Sequence, residues 1–286
     1  MVMGSVQSSR PPRKSKLQIS ISDLPSLPST LVETLRLAGD IDTTVGELEE
    51  VVTRDQSLAA RVLQVANSAF YGSRNIATIT RAVQLLGIVE IQKIAASMVL
   101  APQFETSDSD LLDGATLWRH SLACALWTEV VARTLKFSGI ANLFTAGLMH
   151  DIGILVLARA AQPQLGQALQ CVRDGTMTLA GAEKKFLDTH HARTGATVCA
   201  KWMLPPILTK LIAIHHSRKA FEDPHARVLV LAEHLAASAG MGEFPWSPPS
   251  SAPAALLKAM NLSQDDIECM LEKTEHIEQT LACFIL

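Results

Sequence analysis

A chain of 286 residues with 48% hydrophobic content is long enough for one large domain or two modest ones, and either can bury a sizeable core. One Tyr, 5% aromatic residues and abundant Ala and Leu favour helix over sheet. A net charge of −3 excludes the global basic field that would draw the chain to nucleic acid or an anionic membrane, so partners have to be argued from sites.

Residues 1–20 hold Ser, Arg, Pro and Lys with little to bury, and a disordered solubilising tail is expected there. Its cluster Arg10, Arg13, Lys14 and Lys16 leaves contact with an acidic partner open. From Leu24, LPSLPSTLVETLRLAG predicts a first helix, with prolines before Leu31, Leu35 and Leu37 and a stop at Gly39. In TTVGELEEVV, Thr44 and Glu47 have the spacing of a capping box, and Leu48, Val51 and Val52 recur at helical period. Asp55 or Ser57 can cap the next helix, whose stripe is Leu58, Val62 and Val65. The corner after it, ANSAFYG, can close a polar turn with Asn67, Ser68 and Gly72 while Phe70 and Tyr71 offer aromatic area, either for packing or for a partner. ITRAVQLLGIVEIQKIAASMVLA reads as two helices broken near Gly87.

The middle of the chain carries longer helical patterns over Leu111–Thr134, Ile140–Ala158, Gln164–Arg173, Leu179–Phe186, His191–Trp202, Ile207–His216 and Arg227–Ala239, with Pro205 and Pro206 as a break. Past the Pro/Ser-rich stretch MGEFPWSPPSSAP come two terminal helices, Ala254–Met260 and Ser263–Phe284. A dimerisation arm and packing back onto the core are both open for them. Polar residues interrupt each apolar stretch before it can span a bilayer, and Cys124, Cys171, Cys199, Cys269 and Cys283 form no CxxC pair. Cytoplasmic residence and reduced, core-type cysteines are therefore expected.

Chemistry concentrates in five histidines: His120 in LWRHSLACA, His150 in GLMHDIGILVLA, His191 in THHARTGA, and His215 with His216 in IAIHHS. Neutral imidazole suits divalent transition metals, and Asp151 adds the charge that holds an ion. Each histidine taken singly also fits a hydrogen-bonded core position; only the set argues for metal. His190, His225, His234 and His276 are expected to face solvent. A metal between helices would permit Lewis-acid hydrolysis of phosphate esters.

HDIG after an apolar helix, with a histidine about thirty residues upstream, resembles the HD superfamily of metal-dependent phosphohydrolases. LPSLP, DQSLAARVLQVANSAFYG and ITRAVQLLGIVEIQKI are similar to the HDOD branch, found in bacterial signalling proteins. The resemblance implies an all-α, two-lobed helical bundle over 21–239, with an N-terminal lobe at 21–110 and an HD-like lobe at 111–239, then a linker at 240–253 and a helical extension at 254–286. In the related HD-GYP phosphodiesterases, which cleave cyclic-di-GMP, metal ligands run His, His-Asp, His, His-His, Asp. That order implies metal ligation by His120, His150, Asp151, His191, His215 and His216, with iron, manganese, nickel or zinc as the ion.

The departures weigh against turnover. Ile154 stands where those enzymes have a phosphate-contacting Lys, SRKAFEDPH replaces the Gly-Tyr-Pro element, and the closing Asp is absent, with Glu233 and His234 near its position. The resemblance thus implies a non-catalytic regulatory module that binds signalling proteins, its metal site retained or vestigial; homodimerisation is open, and the near-neutral charge and lack of a recognition motif argue against nucleic acid. The alternative is a metal phosphohydrolase acting on a nucleotide or cyclic dinucleotide through Asp151.

Overall fold

The computed structural model describes residues 32, 33, 37, 42–68, 71, 75–105, 112–242, 244, 246–249 and 251–284. No β-strand occurs among them, and the all-α expectation holds. The expected tail at 1–20, the LPSLP element, the helix around 31–37, Phe70 and Gly72 lie outside the described residues or, for 31–37, largely so.

Among the described residues, the helices defined from end to end that precede the histidine-bearing half are α1 (Val45–Arg54), α2 (Gln56–Ala66), α3 (Ile79–Leu86) and α4 (Ile88–Glu105). Thr44 and Glu47 form the capping box, the Glu47 N–H donating to Thr44 Oγ1 and the Thr44 N–H to Glu47 Oε2. Of the two candidate caps for α2 it is Asp55 that acts, accepting from the Ser57 and Leu58 N–H groups. At Gly87 the chain turns sharply, and α3 and α4 meet at 109°. Asn67 closes the corner after α2: its Nδ2 donates to Leu63 O and Ile76 O, and its Oδ1 accepts from the Ile76 N–H. Tyr71, packed against the core, hydrogen-bonds Glu90.

In the second half, α5 (Gly114–Thr134) is the central pillar, buried continuously from Leu117 to Thr128 except at Arg119, and flanked by α6 (Ile140–Met149) and α12 (Pro224–Ser238). Between them run α7 (Ile152–Ala160), α8 (Gln162–Arg173), α9 (Leu179–Leu187), α10 (His191–Lys201), α11 (Pro206–Ile214) and a 3-10 turn at Arg218–Phe221. The single helix expected over Ile140–Ala158 is two, with His150 and Asp151 at the junction. Residues 140–160 are apolar and long enough to cross a membrane by composition, but 89% of the most apolar window is buried inside the protein and the His-Asp pair sits in its middle.

The extension is α13 (Ala254–Met260), α14 (Gln264–Leu271) and α15 (Thr274–Phe284), three helices rather than the two expected, because the chain turns at Glu272 and Lys273. These helices pack back onto the core through Ile267, Met270, Ile277, Leu281 and Phe284. Arg61 of α2 donates to Cys283 O at 2.6 Å and so ties the extension to the first lobe.

One buried charge network lies in this seam. Lys93 of α4, 4% exposed, sits 2.7 Å from both Glu90 and Glu129 of α5, and its ammonium lies 5.3 Å from the Phe144 ring and 5.9 Å from that of Phe284. Burial works to raise the Glu129 carboxyl, but Lys93 and Arg133 outweigh it and hold it below its ordinary 4.5. The stability from this pairing is therefore present above pH 4.5 and is lost as pH falls through the depressed folded value. Lys93→Ala, which removes the one buried ammonium shared by Glu90 and Glu129 and leaves Glu129 to Arg133 alone, is expected to lower the unfolding free energy by about 3 kcal/mol, measured by urea denaturation at pH 7.

Candidate metal centre

His120 comes from α5, His150 and Asp151 from the α6–α7 junction, His191 from the first residue of α10, and His215 and His216 from the end of α11. Their convergence depends on a close helix contact. A Cβ on Gly153 would lie 2.0 Å from His191 O and 2.7 Å from Gly195 N, so only glycine at that position lets α7 and α10 approach closely enough to seat His191 against Asp151.

The imidazoles are oriented by their outer nitrogens. His150 Nδ1 lies 2.7 Å from Gly147 O, His215 Nδ1 2.7 Å from Ile212 O, and His191 Nδ1 3.0 Å from both Glu183 oxygens. Carbonyls and carboxylates only accept, so each Nδ1 carries the proton and each Nε2 presents a lone pair inward. Those lone pairs surround Asp151. His191 Nε2 and His215 Nε2 lie 3.3 and 3.9 Å from Oδ1, while His150 Nε2 and His120 Nε2 lie 3.4 and 3.9 Å from Oδ2. Asp151 thus faces one histidine pair with each oxygen.

This arrangement fits a metal. Asp151 Oδ1 is buried and accepts no hydrogen bond. The Nε2 atoms of His191 and His215 are 3.4 Å apart, the separation of two nitrogens on one tetrahedral ion with bonds of about 2.05 Å. Asp151, His191, His215 and His216 bring one ligand atom each to within 4.8 Å of one another, and so do His120, Cys124 and His150. The six residues matched from the resemblance therefore come together, with His216 alone exposed, at the mouth. A bound divalent ion would supply Lewis acidity and lower the pKa of a coordinated water.

The electrostatics suit ligation. Burial, reinforced by His150, brings His120 down to about 4, and burial with the neighbouring imidazoles drives His215 well below its ordinary range; both are neutral at physiological pH. Burial works to raise the Asp151 carboxyl, but the histidines outweigh it and hold it at about 2. His191 is the exception: burial opposes its imidazolium, yet Glu183 and Asp151 prevail and raise it.

Glu183 and Cys124 escape the sequence pattern. Glu183, eight residues before His191, orients it. Cys124 lies one helical turn beyond His120, its Sγ 3.6 Å from Nε2. Glu233, at the position where a closing carboxylate is expected, is 4% exposed with Oε1 unpartnered, and burial together with Asp151 raises it well above the ordinary range. His234, expected to face solvent, is instead 6% exposed, its Nδ1 2.7 Å from Pro249 O. The Pro/Ser-rich stretch folds over the centre. A Cβ on Gly242 would lie 2.6 Å from His120 Cα, the Phe244 ring meets the His120 ring edge-on at 5.9 Å, and Trp246 stacks on Phe244 at 4.4 Å. A cavity of about 340 Å³ opens beside His215 and His216, lined also by Ser217, Arg218, Glu233 and Trp246.

The family model of the HDOD domain matches residues 24–218. The fold is similar to an HDOD domain protein of unknown function from Geobacter sulfurreducens, at 23% identity and TM-score 0.77 over 92% of this chain and 94% of that one. It is also similar to a Marinobacter aquaeolei VT8 protein provisionally described as acting in signal transduction, at 22% identity and TM-score 0.74 over 92% and 60% of the two chains. A third is a Shewanella amazonensis SB2B protein provisionally described as a phosphohydrolase, at 24% identity and TM-score 0.72 over 92% and 94%. An uncharacterized protein of Treponema pallidum (strain Nichols) is 24% identical over 208 residues, 72% of this chain and 39% of that protein, so the chain spans about two fifths of this relative's length.

Two outcomes follow from the geometry. Metal affinity measured by calorimetry should fall as pH is lowered through the raised His191 value, by about tenfold per unit for one displaced proton. Gly153→Ala should force α7 from α10 and weaken metal binding by at least about tenfold while far-UV circular dichroism retains its helical signal.

Proposed function

This chain belongs to the HDOD domain family, and on that premise we propose that it is a bacterial regulatory protein acting through protein–protein contacts, with the His/Asp cluster holding a divalent metal as part of the scaffold. One observation carries the reading. His120, His150, Asp151, His191 and His215 are each at most 5% exposed, and a strap marked by Gly242, Phe244 and Trp246 covers the His120 side. A hydrolytic centre keeps a coordination position open to substrate, whereas a structural one is closed. Ile154, fully buried, brings no cation to this centre. Among the described residues the five cysteines are unpaired, which supports a reducing, cytoplasmic setting. Signalling proteins would be the partners, met on the outer surface.

A second reading, a phosphohydrolase, is favoured by the cavity beside exposed His216, where Arg218 offers a cation and Ser217 Oγ is buried without a partner. Assays of the manganese- and iron-loaded protein separate the two. The proposal expects no hydrolysis of cyclic-di-GMP or of a bis-aryl phosphate, and turnover abolished by Asp151→Ala would establish the second reading instead. The scaffold role further predicts that chelation lowers stability, by about 3 kcal/mol relative to protein with free metal at 100 times Kd. An unchanged melting temperature after chelation would refute a structural metal.

A further inference from the structure

We infer that Cys124, with His120 and His150, forms a thiolate-bearing metal position next to the histidine-rich one, the two sharing the Asp151 carboxylate. The ligand class is a borderline-soft divalent ion such as zinc or ferrous iron. The inference rests on the metal-bearing reading above and adds a sulfur donor to it.

The geometry carries it. His120 and Cys124 are four residues apart on α5 and project from the same face. Their ligand atoms are 3.6 Å apart. A tetrahedral ion bonded to nitrogen at about 2.05 Å and to sulfur at about 2.3 Å holds the two about 3.6 Å from each other. His150 supplies a third donor, since its Nδ1 is engaged by Gly147 O and its Nε2 points to Asp151 Oδ2. The three donors lie within 4.8 Å of one another, all from buried residues. Glu233 is the independent sign that something belongs there. It is 4% exposed at the edge of the cavity, electrostatically coupled to Asp151 and Cys124, and its Oε1 finds no donor. A buried carboxylate oxygen without a partner is costly unless a cation satisfies it.

Asp151 divides the ligands. Its Oδ2 faces His120 and His150, and its Oδ1 faces His191 and His215, so each ion would take one oxygen. Burial, with Glu233 and Asp151, pushes the Cys124 thiol well above its ordinary range, so metal ligation is what would draw off its proton, while buried Met241 and Phe244, closed against His120, keep oxidants and bulk water from the sulfur. Among the described residues, Cys171, Cys199, Cys269 and Cys283 join no comparable group, so a sulfur signal from a bound metal identifies Cys124.

Cobalt(II) is the probe. The full-length protein, stripped with chelator, is titrated with cobalt and followed by absorption and by metal content. The expected result is two cobalt ions per chain with a near-ultraviolet sulfur-to-cobalt charge-transfer band. Cys124→Ser should abolish the band and weaken the second equivalent by more than about tenfold. A band that survives in Cys124→Ser overturns the inference. If that variant does not fold, X-ray absorption on cobalt-loaded wild type decides: a sulfur scatterer at about 2.3 Å supports Cys124, and a shell of nitrogen and oxygen alone overturns it. Cobalt taken up without sulfur leaves the metal-bearing reading standing and removes only this one. No cobalt uptake removes both.

Discussion

The contact between Gly153 and the His191 carbonyl is the constraint on which the rest of this structure depends. Two helices approach there to a distance that admits no Cβ, and the approach fixes where α10 begins relative to the His150–Asp151 junction. The junction is itself a consequence of chemistry in an apolar setting. A carboxylate in the middle of a buried, hydrophobic stretch is tolerable only if other groups meet it. Here the chain breaks its helix at that point and surrounds Asp151 with four inward-facing imidazole nitrogens.

The ring orientations show that this is more than charge compensation. If neutralising Asp151 were the whole task, one imidazolium would suffice. Instead three histidines spend their Nδ1 protons on Gly147 O, Ile212 O and Glu183, which turns lone pairs rather than protons toward the carboxylate. Lone pairs crowded around an anion are unfavourable unless a cation lies among them. The surroundings are closed on one side and open on the other: Phe244 lies against His120 with Trp246 stacked on it, while the cavity opens beside His215 and His216.

Much of the architecture was legible in the sequence because its signals are local. Thr44 with Glu47, Asp55, Gly87 and Pro205–Pro206 each mark a helix boundary through caps or breaks within a few residues, and each acts as expected. The histidine set was legible through its order along the chain. What escaped depends on three-dimensional neighbours. Cys124 reads as one more small core residue until His120 is seen a turn away. Glu183 has no periodic signature, and His234 looks like any polar residue on a helix until Pro249 arrives beside it. The stretch from 240 to 253 reads as a linker from its prolines and serines. Its few apolar members, Met241, Phe244 and Trp246, determine where it lies.

The bond from Arg61 to Cys283 O joins residues 222 positions apart, and Phe284 lies against the same buried ammonium that pairs with Glu90. The first helices therefore leave the ribosome long before the surface that covers them exists. At about 5–20 residues per second, they wait some tens of seconds with Lys93 and its carboxylates still open to water. Charged groups in the seam keep that waiting surface hydrated, where an all-apolar seam would present a sticky face to other nascent chains.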